Sequence, residues 1–272
     1  MKIAVIGGDA RMLAAAKLFR KSGLECAVSA LGDGSRTVSE ALRGADVAVL
    51  PLPCEKNGFL NTPLSEEKIT LAELFGNAEE KTLFIGGITE QKSERTVDYA
   101  IREDFLLSNA IITAESAIKL ALCERRATLF GARATVVGFG RIGSLLTRAL
   151  NALGASVSVV ARRSESLISA KISGASPFSF EDIGTACRGA DLIFNTVPKT
   201  VIGSEVLSEL GKDCLIIDLA SGEGGCDKKA ADSLRVRLIH ALALPGKHFP
   251  ESAGRAVFES VCAILRERGL AK

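Results

Sequence analysis

The run Ala134-Thr135-Val136-Val137-Gly138-Phe139-Gly140-Arg141-Ile142-Gly143 constrains this chain more than any other stretch. An apolar, β-branched segment enters a glycine turn, and a helical pattern follows over residues 144–150. In that strand–turn–helix setting G-x-G-x-x-G is a dinucleotide-binding fingerprint. Gly138 permits the turn, Gly140 lets a pyrophosphate approach the backbone, and Gly143 lets the helix pack closely on the strand. Free N–H groups at the helix start, through Arg141 and Ile142, face the phosphates. A second strand over residues 157–160 follows at the spacing of a βαβ unit. The alternative is a glycine turn without a ligand, and the flanking elements weigh against it.

The end of that second strand selects the dinucleotide. NAD-binding lobes place an Asp or Glu there, on the ribose hydroxyls. Here the strand runs into Ala161-Arg162-Arg163-Ser164, with no acid before Glu165. Two guanidinium groups and a hydroxyl suit a 2′-phosphate, at about 1.5–3 kcal/mol per charge-assisted contact, so NADP is the expected cofactor. Solvated loop arginines are the plain alternative. Further on, Asn195-Thr196-Val197-Pro198 ends the fourth strand and is expected beside the nicotinamide ribose. Asp218 ends the next strand and braces its loop, with Ala220 and Ser221 on the cofactor side.

Strands and helices alternate along the whole chain, which implies an α/β fold with parallel, doubly wound sheets. Strands are expected over residues 2–6, 26–30, 47–50 and 82–85, with a loop over 54–63. Three phrases recur in order. Residues 2–7 parallel 134–138, Arg43-Gly44-Ala45-Asp46 parallels Arg188-Gly189-Ala190-Asp191, and 82–87 parallel 214–218. The expected architecture is therefore two Rossmann-like lobes linked by crossing helices. Residues 1–112 form a substrate and partner lobe, and 113–249 an NADP-binding domain. A C-terminal helix over 250–272 packs back on the first lobe. The linking helix is expected to begin at Thr113. The first lobe's Gly7-Gly8-Asp9-Ala10-Arg11 lacks the later fingerprint glycines, and Asp9 would repel a pyrophosphate. No second dinucleotide is expected there. Arg11 would instead hold a substrate carboxylate, or simply be a solvated side chain.

Composition removes several classes of function. A net charge of +2 over 272 residues provides no field for nucleic acid or a membrane surface. No apolar stretch is expected to reach the roughly 20 residues of a membrane span. Seven scattered cysteines without a C-x-x-C pair read as reduced thiols, and two histidines far from paired cysteines give a metal site no support.

Several phrases together resemble one family, the dehydrogenase-like A subunit of bacterial dipicolinate synthase. They are Gly7-Gly8-Asp9-Ala10-Arg11, Asn109-Ala110-Ile111-Ile112-Thr113-Ala114-Glu115, the run 137–143, Asn195–Pro198, Asp218-Leu219-Ala220-Ser221 and Leu244-Pro245-Gly246-Lys247. The sequence departs from the family pattern at Ser116, where Gly is usual. The resemblance implies a cytoplasmic enzyme of the mother cell of a sporulating bacterium. It implies oxidation of a lysine-pathway dicarboxylate, 4-hydroxytetrahydrodipicolinate or its dehydrated form, to dipicolinate with NADP. A flavoprotein-like B subunit is the implied partner, and a homo-oligomer is compatible with the apolar composition. Such a reaction needs holders for two carboxylates and one proton acceptor. Arg11, Asn109, Thr113, Ser116 and Lys247 are the expected holders, with the stretch 109–113 read as a turn and Thr113 and Ser116 at a helix start. Helix cap, turn residue and surface charge are the plain alternatives for Thr113, Asn109 and Lys247. His240 and Glu115 are the candidate bases, weighed against a structural histidine and a first-turn acid. Two rivals stay open: an NADP oxidoreductase of hydroxyacid or shikimate type, and a non-catalytic nucleotide-sensing protein that stabilises a partner enzyme.

Overall fold

Short apolar strands separated by helices favour parallel pairing, because each crossover helix returns the chain to the same end of the sheet. The computed structural model describes residues 1–32, 34–87 and 94–271. Two units form, Met1–Asn109 with Pro245–Lys272, and Ala110–Leu244. The first begins β1 (Lys2–Ile6), α1 (Ala10–Lys21), β2 (Glu25–Ser29), α2 (Val38–Leu42) and β3 (Val47–Val49). It continues with β4 (Glu55–Lys56), β5 (Phe59–Leu60), α3 (Leu71–Gly76), β6 (Leu83–Gly86), β7 (Thr96–Asp98) and the start of α4 (Glu103–Glu124). The second unit follows with β8 (Arg133–Val137), α5 (Arg141–Ala152), β9 (Ser156–Val160), α6 (Ser164–Ile172) and β10 (Ser176–Phe178). Then come α7 (Ile183–Cys187), β11 (Leu192–Asn195), α8 (Ser204–Ser208), β12 (Leu215–Asp218), α9 (Lys228–Ser233) and β13 (Arg237–His240). The chain ends with α10 (Leu244–His248) and α11 (Pro250–Glu267).

Both main sheets are parallel throughout, in the orders β2-β1-β3-β6-β7 and β10-β9-β8-β11-β12-β13. The five strands of the first reappear in the same order in the second, with β10 added at one edge. That strand, Ser176–Phe178, has no counterpart in the first sheet. The strand interiors are almost wholly apolar, as sheets covered on both faces require.

Four expectations need correction. The stretch 54–63 is not only a loop, since β4 and β5 pair there as a small antiparallel hairpin. β7, at the edge of the first sheet, was not foreseen. α4 starts at Glu103, ten residues before the expected Thr113, so 109–113 is no turn and Thr113, Glu115 and Ser116 lie within a helix. The same 22-residue helix is long and apolar enough, by length and composition, to cross a membrane. Ala114, Ala117 and Ala121 bury one side of it in the protein's own core. Lys272, the last residue of the expected C-terminal helix, lies outside the described residues.

Within the first unit α11 lies against α1. Phe19 and Phe258 meet edge to face with ring centroids 5.0 Å apart. Arg102, just before α4, binds Glu267 through Nη1 at 2.7 Å and Asp104 through Nη2 at 3.0 Å, tying down the last turn of α11. The closest approach is at Gly254, where a Cβ would stand 2.5 Å from the Arg11 carbonyl oxygen and 2.8 Å from the Ala15 nitrogen. Helix backbone cannot yield as a flexible side chain would. Gly254→Ala should therefore destabilise the first unit by about 1–3 kcal/mol, read as a lower urea midpoint; an unchanged midpoint would show that α11 shifts freely.

Candidate functional site

The second sheet ends in a single row. Phe178, Val160, Val137, Asn195, Asp218 and His240 are register partners across six strands. All the loops that leave this row emerge at one edge, the carboxyl edge where open α/β sheets hold ligands.

On the apolar half of the row, Val137 leads into the glycine turn. Gly138 has φ +97°, and a side chain there would overlap the Thr196 hydroxyl. A Cβ on Gly143 would overlap the Gly138 carbonyl oxygen, so α5 leaves the strand at the closest distance a backbone allows. Gly140 is the opposite case, with nothing within 4 Å of where a Cβ would stand. The first residues of α5 carry no acid, and its N-cap residue Gly140 makes no side-chain cap hydrogen bond among the described residues. Two glycines thus build the turn and the third leaves open space before a helix N-terminus, the arrangement that a pyrophosphate fits.

That space belongs to a cleft of about 890 Å³. Of the expected cofactor residues, the cleft brings together Gly138, Phe139, Gly140, Arg162, Arg163, Thr196, Val197 and Pro198. Arg162 and Arg163 are exposed and aligned before α6, with Arg163 as its N-cap residue. Arg141, Ile142 and Gly143 lie behind the turn in α5, Ser164 opens α6, and Asn195, Ala220 and Ser221 are outside the cleft lining. Sequence reasoning missed Ser166, the stretch Ser179-Phe180-Glu181 after β10, and the stretch Lys199-Thr200-Val201. The last of these had a signal: continuing past Pro198 along the same loop would have reached it. The stretch after β10 follows a three-residue edge strand whose pairing with β9 is not local.

The first unit's glycine turn is closed by its own chain. The Gly8 N–H donates to the Asn61 carbonyl at 2.8 Å. A Cβ on Gly7 would meet Leu60, Thr62 and the Asn61 oxygen at 3.0–3.2 Å. The β4–β5 hairpin and the residues after it therefore stand where the second unit keeps its cleft. Asp9 caps α1 by accepting from the Arg11 N–H at 3.1 Å. Its carboxylate also takes Arg11 Nε at 2.9 Å and Nη2 at 2.9 Å, and Nη2 donates to the Leu52 carbonyl at 3.0 Å. Arg11 is thus neither a solvated side chain nor an uncommitted cation. Gly246 of α10 packs on this pair, its Cβ position 3.0 Å from Arg11 Nε, which brings the exposed Lys247 to the next position along.

Asn109, Thr113 and Ser116 fall at i, i+4 and i+7, one stripe of α4. Ser116 is fully buried and its hydroxyl has no hydrogen-bond partner among the described residues. Glu115 points the other way and is exposed. His240, half-buried at the end of β13, places Nε2 3.0 Å from the Ala220 carbonyl oxygen. Burial pushes the thiols of Cys54, Cys187, Cys214 and Cys226 up to about 12, so they remain protonated core residues rather than nucleophiles. Among the described residues no group of three or more His, Cys, Asp or Glu side chains is placed to hold a metal ion.

Fold and site together define a dinucleotide-binding protein of the dehydrogenase class. Residues 115–244 match the family described as D-isomer specific 2-hydroxyacid dehydrogenase, NAD binding domain, which makes the dinucleotide a nicotinamide one. Residues 2–103 match the family described as the N-terminal domain of the A subunit of dipicolinate synthase. The chain is 31% identical over 290 residues to the dipicolinate synthase A subunit of Bacillus subtilis (strain 168), covering 98% of this chain and 96% of that protein. This chain belongs to the family of dipicolinate synthase A subunits. The crystal structure of the family member from Bacillus halodurans superposes with a TM-score of 0.86 at 29% identity, over 97% of both chains. A transhydrogenase from Sinorhizobium meliloti shares the fold at 15% identity and a TM-score of 0.71, over 98% of this chain and 94% of that one.

The turn generates its own test. Gly143→Ala pushes α5 off β8, and affinity for a nicotinamide dinucleotide should fall about tenfold or more, about 1.4 kcal/mol at least. Titration calorimetry reads it directly. Unchanged affinity would mean that the closeness of strand and helix does not shape the site.

Proposed function

We propose that this chain is the dehydrogenase subunit of a dipicolinate-forming enzyme, oxidising 4-hydroxytetrahydrodipicolinate or its dehydrated form with NADP. The observation that carries the cofactor choice is the pair Arg162 and Arg163 on the cleft lining after β9, where an acid would hold the ribose hydroxyls of NAD. One carboxylate, Glu181, shares that lining, so the guanidinium groups outnumber it. Arg162, Arg163 and Ser164 would hold the 2′-phosphate, and the turn 138–140 with the start of α5 the pyrophosphate. Thr196, Ala220 and Ser221 would serve the nicotinamide side.

When bound, NADP supplies the hydride acceptor. Loss of water from the hydroxylated ring, then of a hydride and a proton, yields the aromatic dicarboxylate. His240 is the proposed proton acceptor, and its position in the register row beside Asp218 supports that role. Arg11 and Lys247, neighbours through Gly246, are the proposed cations for the substrate carboxylates. A flavoprotein-like B subunit is the proposed partner, and the cytoplasm of a sporulating mother cell the proposed setting.

The test mixes purified chain, with and without a B-type partner, with freshly generated hydroxytetrahydrodipicolinate and NADP. Dipicolinate absorbance and NADPH formation are the expected results. If neither appears while NADP still binds, a nucleotide-sensing role replaces the enzymatic one. Replacing Arg162 and Arg163 together by Ala should weaken NADP at least tenfold more than NAD, since each charge-assisted hydrogen bond removed is worth about 1.5–3 kcal/mol. Equal weakening of the two dinucleotides would remove the NADP assignment.

A further inference from the structure

Asp218 is fully buried at the end of β12, and a carboxylate in that setting needs donors on its oxygens. Oδ1 accepts from Asn195 Nδ2 at 2.8 Å and from the Ala220 N–H at 3.1 Å. Oδ2 accepts from the Gly225 N–H at 2.7 Å. Asn195 spans the turn after β11, accepting from the Val197 N–H at 3.1 Å and donating to the Val197 carbonyl at 3.1 Å. Gly225 closes the ring, because its carbonyl accepts from Val201 and Ile202 at 3.0 and 3.1 Å. A Cβ on Gly225 would overlap Asn195 Nδ2 and the Val197 oxygen, so the two loops touch without room for a side chain.

The third strand end joins through Ala220. Its carbonyl oxygen lies 3.0 Å from His240 Nε2. A carbonyl only accepts, so Nε2 carries a proton, and whenever the ring is neutral the lone pair is then on Nδ1. Gly224 separates the carboxylate from the imidazole: a Cβ there would stand 2.5 Å from Asp218 Oδ2 and 3.3 Å from His240 Nε2. The loop can therefore lie between the two groups only as glycine.

We infer that Asp218 is a positioning residue for His240. It holds the Ala220 and Gly225 amides on one carboxylate and ties them through Asn195 to the cofactor-side turn. That fixes the Ala220 carbonyl, which selects the Nε2-protonated tautomer and leaves Nδ1 as the nitrogen that takes a proton. The inference rests on the reading of His240 as proton acceptor for its catalytic consequence, while the tautomer is a separate, measurable property. Asn at position 218 would keep the shape but accept on one oxygen only, presenting an NH₂ group to a neighbouring donor.

Histidine-labelled full-length chain, studied by nitrogen NMR with His240→Gln to assign the signal, should show the Nε2-protonated neutral ring. Asp218→Asn should give a mixture of tautomers. Its kcat should fall at least tenfold, with a displaced pH–rate profile and an NADP Kd within threefold of the original. Should Asp218→Asn not fold, Asn195→Ala removes one donor, keeps the loop amides, and should shift the tautomers less. A folded variant with an unchanged tautomer and pH profile overturns the inference. If instead the tautomers mix while His240→Gln retains full activity, the positioning stands and the assignment of His240 as proton acceptor falls.

Discussion

Every strand of the six-stranded sheet runs the same way, and the last residues of all six are register partners. That constraint decides what the unit can do. Side chains alternate across each strand, but every strand end reaches the same edge, so loops far apart in sequence meet there. The row divides in two. Phe178, Val160 and Val137 are apolar and hand the chain to open loops around the cleft. Asn195, Asp218 and His240 are polar and direct their hydrogen bonds to the loops beside them. A slip of one residue in the pairing of β11 with β12 would turn Asp218 to the opposite face and away from the Asn195 amide that donates to it. The carboxylate network thus enforces the register that the apolar core permits.

The five strands of the first sheet keep their order in the second, yet among the described residues the glycine turn opens onto a cleft in the second unit and is closed by its own chain in the first. The difference is local. In the second unit the chain turns through Gly138 and enters α5 at Gly140, whose N-cap position makes no side-chain cap hydrogen bond among the described residues. In the first, Asp9 caps α1 and Asn61 takes the Gly8 amide, while the β4–β5 hairpin brings Leu60 and Thr62 against Gly7. An anion would have to displace both the carboxylate and the hairpin. The shared architecture therefore carries no function by itself; a few residues at each first turn decide it.

What was legible in the sequence is what depends on neighbours along the chain. The glycine turn, its strand and its helix are contiguous, and the recurring phrases of the two halves lie on matching strands. Short non-local pairing was not legible: β4 and β5 are two residues each, and β7 gains its strand character only by lying beside β6. The start of α4 was hidden for a different reason. Ser108 and Asn109 are turn-favouring residues, and Thr113 with Ser116 resembles a cap. Packing overrides that preference, because Ala110, Ala114, Ala117 and Ala121 bury one flank over about three turns. Ser116 is left as a buried hydroxyl without a partner among the described residues. The network around Asp218 was legible only as a brace; which amides it holds depends on the loop 219–225 folding back, and no periodicity encodes that.

Charge placement separates the two ends of the proposed chemistry. In the first unit the Arg11 guanidinium is neutralised by Asp9, which fixes its plane and leaves Nη1 outside the Asp9 and Leu52 bonds. Such a group can direct a carboxylate but contributes little net attraction. Lys247, exposed beside it, has no such carboxylate built onto it among the described residues and would supply the attraction. In the second unit the order is reversed: Arg162 and Arg163 stand exposed at the cleft, with no bidentate acid of the Asp9 kind among the described residues, and on the proposed function they would attract strongly while orienting loosely. A dianionic ring held by direction and a phosphate held by charge are compatible with a protein whose net charge is only +2. On the proposed function, selectivity for the dinucleotide would come from two adjacent arginines, and selectivity for the ring from the rigid Asp9–Arg11 pair.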